Sequence, residues 1–220
     1  MKSVTKFRWT LTKTTPIIDT NEFYRDNNEF KKILKINNDK ILIGTIGRYD
    51  PQKDHMNLVK VINELLGIHV KISCIFVGKN ISELKNIIIK KNYSKELINS
   101  IYFLESRNNI KDIINSIDIF VLPSLYGEAF PNVLAEAMAC ECFCISTDVG
   151  DSKLILNDER WIVSPGNYKI LSNKINEAIK FKQFNTSSWL NTKKTNRKKI
   201  IDNFSLNKMI QNYNNCWRSS

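Results

Sequence analysis

The chain has 220 residues, 42% of them hydrophobic, which is enough apolar material for a sizeable core and excludes global disorder. Its net charge of +11 suits anionic partners such as phosphorylated substrates, a membrane surface or nucleic acid. No zinc-finger, RNP-type or helix-turn-helix pattern accompanies the charge, so nucleic acid is not expected as a partner.

The sequence predicts a cytoplasmic location and no metal. No apolar run approaches the roughly 20 residues of a membrane span, and the basic N-terminus lacks the apolar core of a signal peptide. Five cysteines, an odd number, indicate reduced thiols. Three of them alternate in CECFC (140–144), and a strand with Cys142 and Cys144 on one face is favoured over a metal site.

Short apolar runs alternate with stretches of helical periodicity from residue 41 onward. In chain order the predicted elements are strand 41–47, helix 55–66, strand 70–78, helices 81–91 and 94–100, strand 101–104, helix 110–116, strand 117–123, helix 131–139, strand 142–147, a helical turn 150–156, strand 160–164, and helices from 168 onward. This alternation predicts an α/β fold, a Rossmann-like doubly wound parallel sheet with a C-terminal helical tail.

Ligands of such sheets bind beyond the carboxyl ends of the strands, so the loops that follow the strands are the candidate sites. In the loop GRYDPQKD (47–54), Gly47 permits a close turn. The cations Arg48 and Lys53 suit a diphosphate, with an exposed basic turn as the alternative. The loop lacks GxGxxG, which argues against a dehydrogenase.

The stretch SLYGEAFPNVLAEAMA (124–139) runs from a buried strand into a helix, with Pro131 expected as the first helical residue. The backbone N–H groups of Asn132, Val133 and Leu134 at the helix start favour an anion.

Two glutamates lie around this helix start. Glu136 falls off the apolar stripe of the helix, so a solvated surface glutamate is the alternative to a ligand contact. Glu128 precedes the helix, where it would repel a bound phosphate unless it binds another group of the same ligand.

A third loop, LESRNNIKD (104–112), carries a weaker signal. Asn108 or Asn109 is expected to cap the following helix. Backbone groups of this loop are also placed to meet the edge of a base.

Taken in chain order (47–54, 104–112 and 124–139), these three loops resemble the C-terminal, donor-binding half of retaining GT-B glycosyltransferases of family 4, from PIIDTNEF (16–23) to NYNNCW (212–217). The segment from Arg107 to Ile110 resembles the R-x-D-I loop of that family. Glu128 and Glu136 match its E-x7-E motif within GEAFPNVLAEAMAC, which is followed by TDVGDS. A sugar-nucleotide epimerase of the same fold remains an alternative.

The resemblance implies a role for each motif in binding a UDP-sugar or GDP-sugar without a metal or other cofactor. Arg48 and Lys53, with the amides that follow Phe130, would hold the diphosphate. Glu128 would accept hydrogen bonds from the sugar, and Glu136 from the ribose. The implied donor-binding residues are Gly47, Arg107, Asn109, Ile110, Phe130, Pro131, Asn132, Val133 and Glu136, and the implied catalytic residues are Arg48, Lys53 and Glu128.

The resemblance further implies a basic N-terminal segment and linker (1–30), a nucleotide-sugar-binding domain (31–184) and C-terminal helices (185–220). A separate acceptor domain precedes this part in the family, so the chain is expected to bind the donor but to transfer little by itself. A glycan or lipid-linked acceptor in lipopolysaccharide or capsule synthesis, an acceptor-domain chain and peripheral contact with the inner membrane are the implied partners. A non-catalytic nucleotide-sugar binder is the alternative.

The sequence departs from the family pattern at several positions. Glu141 replaces the glycine that ends the helix, so either a left-handed conformation there costs about 1–2 kcal/mol or the turn differs from that of the family. Glu105 and Asn109 replace glycine and aspartate, which puts base preference in doubt. His55 is expected to be a helix-start residue rather than a catalytic base.

Overall fold

The computed structural model describes residues 17–26, 29–69, 71–156 and 158–218, so most of the predicted N-terminal segment 1–30 lies outside the described residues. The helices are α1 (Phe30–Ile33), α2 (His55–Leu66), α3 (Ile81–Lys90), α4 (Lys95–Ser100), α5 (Ile110–Ser116), α6 (Asn132–Ala139), α7 (Ser152–Leu156), α8 (Tyr168–Phe184), α9 (Thr186–Phe204) and α10 (Leu206–Arg218). The strands are β1 (Ile41–Ile46), β2 (Ile72–Val77), β3 (Ile101–Leu104), β4 (Ile119–Leu122), β5 (Phe143–Thr147) and β6 (Ile162–Val163).

The six strands form one sheet in the order β3-β2-β1-β4-β5-β6, and every neighbouring pair is parallel. Every residue of β2, β4 and β5 is buried, as continuous apolar strands covered on both faces require. The predicted Rossmann-like doubly wound sheet is therefore confirmed. The strand order reverses between β1 and β4, which places a ligand crevice at their carboxyl ends.

The last strand and the helical tail differ in detail from the prediction. β6 is short because Glu159–Trp161 forms a 3-10 turn, which begins where the Asp158 side chain accepts a hydrogen bond from the Arg160 backbone N–H. The tail is three helices, with breaks at Asn185 and Ser205. No helix in the described part of the chain is both long and apolar enough to cross a membrane.

The C-terminal helices pack on the sheet domain. In α9, the Trp189 ring stacks on Phe143 of β5 with their centroids 3.8 Å apart. Arg197, also in α9, donates hydrogen bonds to the carbonyls of Ala139 and Phe23. Arg197 thereby links Phe23 to the end of α6.

A second contact holds the beginning of the described chain. Ile18 forms a parallel bridge with Ser205, and its backbone N–H donates to the Phe204 carbonyl at 3.0 Å. The Leu206 N–H donates back to the Ile18 carbonyl at 3.2 Å. The chain at Ile18 therefore lies against the junction of α9 and α10.

Candidate functional site

The loops after β1 and β4 meet at the carboxyl edge of the sheet. The two strands are neighbours, with Ile43 opposite Ile119. Lys53 Nζ, after β1, lies 2.5 Å from Glu128 Oε1, after β4. The exposed fractions of these two side chains are only 16% and 9%. The structure thus brings the lysine predicted to bind phosphate into direct contact with the glutamate predicted to bind the sugar.

Arg48 lies in the same loop as Lys53 but is much more exposed, with 59% of its side chain accessible. Its Nε lies 3.3 Å from Asp50 Oδ2, and its Nη2 donates to Gln52 Oε1 at 3.2 Å. The pKa of Asp50 is lowered, chiefly because its carboxylate accepts the Gln52 backbone N–H. Gln52 also joins the two loops, since its carbonyl accepts the Leu125 N–H at 2.7 Å. Asp50 and Gln52 therefore orient an otherwise solvated guanidinium group.

Glu128 is held from two sides. Ser124 Oγ donates to Glu128 Oε1 at 2.6 Å. Gly150, in TDVGDS, has φ +51°, and a Cβ there would lie 2.2 Å from the Glu128 carbonyl oxygen. The neighbouring Asp151 N–H donates to the Ala129 carbonyl at 2.8 Å. The loop after β5 therefore needs a glycine to pack against the Glu128 loop.

The start of α6 corrects one prediction. Pro131 is the N-cap of the helix, not its first residue, because its ψ of 89° is not helical. The Leu134 N–H donates to the Pro131 carbonyl at 3.0 Å and is therefore not free. The amides of Asn132 and Val133 donate no hydrogen bond within the described residues, and they remain at the helix terminus that favours an anion. Phe130 packs on Phe204, with ring centroids 5.4 Å apart.

Glu136 lies one turn further along α6 and is half-buried rather than fully solvated. Burial raises the pKa of its carboxyl from 4.5 to about 7, and the charge of Glu22 adds to the effect. A carboxylate in this environment is short of hydrogen-bond donors, which ligand hydroxyl groups would supply.

The loop after β3 lies further from the ion pair, because β2 separates β3 from β1. Arg107 and Asn109 are exposed, and Ile110 packs partly buried against the core. Within the described residues, none of these three forms a hydrogen bond or ion pair with Lys53 or Glu128. The structure does not join them to the pair through a direct contact.

Asn109 is the N-cap of α5, but its side chain makes no capping hydrogen bond, so the predicted side-chain cap is wrong for Asn109. The carboxylate of Glu105 instead accepts hydrogen bonds from the backbone N–H groups of Asn80 at 3.0 Å and Ser82 at 2.8 Å. Glu105, which stands where the family has glycine, thus caps α3 on the neighbouring connection.

The structure accounts for one further departure from the family pattern, at Glu141, and for the position of His55. Glu141 has φ +54°, the left-handed conformation expected of a glycine. The N–H groups of Glu141 and Cys142 donate to the carbonyls of Met138 and Ala137, which is a Schellman ending for α6. His55 is the first residue of α2 and is buried, and burial lowers its pKa to about 4. It is therefore a neutral helix-start residue at pH 7.

Three polar residues of the site are not predicted from the sequence. Gln52 and Ser124 touch Arg48 and Glu128, and Thr147 Oγ1 donates to the Ser124 carbonyl at 2.6 Å. Their signal in the sequence is only that each is a polar residue at or after the end of a buried strand. Among the described residues, no group of three or more His, Cys, Asp or Glu side chains is placed to hold a metal ion.

The fold of this doubly wound sheet matches the Rossmann-like domains of GT-B glycosyltransferases. The chain belongs to the family "Glycosyl transferases group 1", whose model matches residues 26–211, and the resemblance to glycosyltransferases of this fold is confirmed.

Three known proteins illustrate the relationship. The chain is 26% identical over 184 residues to the UDP-Gal:alpha-D-GlcNAc-diphosphoundecaprenol alpha-1,3-galactosyltransferase of Escherichia coli, covering 82% of this chain and 46% of that enzyme. Anabaena HepE in complex with UDP and glucose matches with a TM-score of 0.78 at 19% identity, over 93% of this chain and 56% of HepE. The C-terminal domain of a Francisella tularensis glycosyl transferase group 1 protein (LpcC) matches with a TM-score of 0.70 at 19% identity, over 86% of this chain and 99% of that domain. The chain thus spans about half the length of the first two proteins.

Proposed function

We propose that this chain binds a nucleotide-diphosphate sugar at the carboxyl edge of the sheet, as the donor-binding half of a glycosyltransferase. The observation that carries the proposal is the Lys53–Glu128 ion pair, which lies where the strand order reverses and beside the start of α6. A cation for phosphate and an acceptor for hydroxyl groups are the two recognition elements that such a ligand needs.

The proposed binding mode assigns each part of the ligand to one region. Arg48, Lys53 and the free amides of Asn132 and Val133 hold the diphosphate. Glu128 accepts hydrogen bonds from the sugar hydroxyl groups. Glu128 therefore binds a neutral end of a ligand whose anionic centre lies at the helix start.

The nucleoside end completes this binding mode. Glu136 accepts hydrogen bonds from the ribose, whose hydroxyl groups satisfy its half-buried carboxylate. Ile110, with Arg107 and Asn109, lines the pocket for the base. This last assignment rests on the family resemblance.

The proposed reaction is the retaining transfer of a hexose, as in family 4, without a metal. The bond between the anomeric carbon and the diphosphate breaks, and a bond from that carbon to an acceptor oxygen forms on the same face. The departing diphosphate receives the acceptor proton. Arg48, Lys53 and the dipole of α6 stabilise the charge on the leaving group, and removal of one such contact typically costs about 10²–10³ in rate.

The proposed acceptor is a glycan or a lipid-linked saccharide of surface polysaccharide synthesis, such as lipopolysaccharide or capsule. The lipid diphosphate in the name of the Escherichia coli relative supports this class. We place the reaction in the cytoplasm with peripheral contact to the inner membrane. The match to almost the whole of a C-terminal domain supports the further proposal that transfer requires an acceptor domain.

Calorimetry with UDP-sugars and GDP-sugars tests donor binding. Lys53→Met and Glu128→Ala should weaken it by at least tenfold. Lys71→Met is the matched control, because Lys71 is also paired, with Asp39 at 2.9 Å, but precedes β2 at the opposite edge of the sheet. No binding at millimolar ligand would overturn the proposed function.

A turnover assay with a lipid-linked acceptor tests whether transfer requires an acceptor domain. The isolated chain should bind the donor without transferring it, and an added acceptor domain should restore transfer. Robust transfer by the chain alone would contradict the requirement for that domain. Binding that no acceptor domain converts into transfer would favour the alternative of a non-catalytic nucleotide-sugar binder.

A further inference from the structure

The carboxylate of Glu128 uses one of its oxygens for the protein. Oε1 accepts from both Lys53 Nζ at 2.5 Å and Ser124 Oγ at 2.6 Å. Within the described residues, Oε2 accepts no hydrogen bond. One oxygen is therefore fixed by two donors, and the other is left for a ligand.

Ser124 is the more rigid of these two donors. It is fully buried at 0% exposure, two residues beyond the end of β4. Its carbonyl accepts the Thr147 hydroxyl at 2.6 Å, and the same hydroxyl lies 3.2 Å from the Leu122 carbonyl. Thr147 is the last residue of β5 and is 1% exposed. The serine is thus fixed to two central strands of the sheet.

Lys53 is a less constant partner for Glu128. Its ammonium group sits on a flexible four-carbon stem. In the proposed binding mode it also turns toward the diphosphate. The Ser124 hydroxyl is not assigned to the diphosphate, so it can donate to Oε1 both before and after the donor binds.

We propose that Ser124 is a positioning residue that orients Glu128 so that Oε2 faces the sugar hydroxyl groups of the donor. This inference rests on the proposed function. Hydrogen bonds to charged groups contribute enough that losing one weakens binding by about tenfold or more.

Calorimetry with a nucleotide-sugar and with the matching free nucleoside diphosphate tests the proposal, using UDP-glucose with UDP and GDP-mannose with GDP. Ser124→Ala should weaken nucleotide-sugar binding by about tenfold and change nucleoside diphosphate binding by less than about twofold. In a Glu128→Ala background, Ser124→Ala should cause no further loss, because the serine acts only through that carboxylate.

Ser116→Ala is the matched control. Ser116 is also a buried serine, and it donates a 2.6 Å hydrogen bond to the Ile113 carbonyl, but it lies at the end of α5. It should leave both affinities unchanged. If Ser124→Ala does not fold, as thermal unfolding would reveal, Ser124→Cys replaces it. The cysteine keeps a similar size with a weaker donor, so it should cause a smaller loss confined to the nucleotide-sugar.

Three results would overturn the inference while leaving donor binding intact. The first is an unchanged affinity of the Ser124 variant for the nucleotide-sugar. The second is an equal loss of affinity for nucleotide-sugar and nucleoside diphosphate. The third is a loss in the Glu128→Ala background as large as the loss that Ser124→Ala causes in the wild-type protein. Failure of the wild-type chain to bind either ligand would instead overturn the proposed function and the inference with it.

Discussion

The half-buried carboxylate of Glu136 predicts that Glu136→Gln stabilises the protein at high pH. A rise of the pKa from 4.5 to about 7 corresponds to about 3 kcal/mol at 1.36 kcal/mol per pH unit. Because the side chain is partly exposed, solvent should reduce this to about 1–2 kcal/mol. The folded protein binds this proton more tightly than the unfolded chain, so the free energy of unfolding falls as pH rises from 4.5 to about 7.

Thermal unfolding followed by circular dichroism at pH 5 and pH 8 measures the effect. Glutamine keeps the shape and removes the charge, so the variant should unfold about 2–8 °C above wild type at pH 8 and close to wild type at pH 5. Glu64→Gln, at an exposed position of α2, should show no such pH-dependent gain. Equal changes in Tm at both pH values, or a destabilised Glu136→Gln variant at pH 8, would refute the reasoning.

Three other substitutions follow from the packing of the chain. Gly150→Ala would place a methyl group against the Glu128 carbonyl, so the site loop must move and nucleotide-sugar affinity in calorimetry should fall about tenfold; unchanged affinity would contradict this. Trp189→Ala removes a 3%-exposed stacked ring and should lower the free energy of unfolding in urea by about 3–5 kcal/mol, and a loss under about 1 kcal/mol would count against the packing described. Burial raises the pKa of Asp118, but two paired lysines outweigh burial and lower that pKa below 3.8. Asp118→Asn should therefore lower the free energy of unfolding in urea by about 3 kcal/mol at pH 7, and by less as pH falls through the lowered pKa.

Most of the sheet could be predicted from local pattern. Apolar runs such as 101–104 and 117–123 are long enough to be recognised; the structure keeps the bounds of the first and shortens the second to Ile119–Leu122. The last strand was predicted too long because the Asp158 side chain starts a 3-10 turn, a local polar interaction that competes with the apolar signal. The short helix α1 was missed since four residues provide too little periodicity.

The site was only partly predictable, for a different reason. Arg48, Lys53 and Glu128 were found because they lie in loops beyond strands, where charged residues are informative. The contact between Lys53 and Glu128 depends on β1 and β4 being neighbours, which the order of elements along the chain does not determine. Ser124 and Thr147 are not predicted, because a buried hydroxyl group changes neither the hydrophobic periodicity nor the charge of the sequence.

The bridge between Ile18 and Ser205 has a consequence for how the protein is made. Synthesis produces residue 18 long before residue 205, so the chain at Ile18 cannot dock until residue 205 has left the ribosome. Contacts of such large sequence separation form late and slowly. The first described segment to be synthesised should therefore be the last to become protected, and pulsed proteolysis of stalled nascent chains would detect the order.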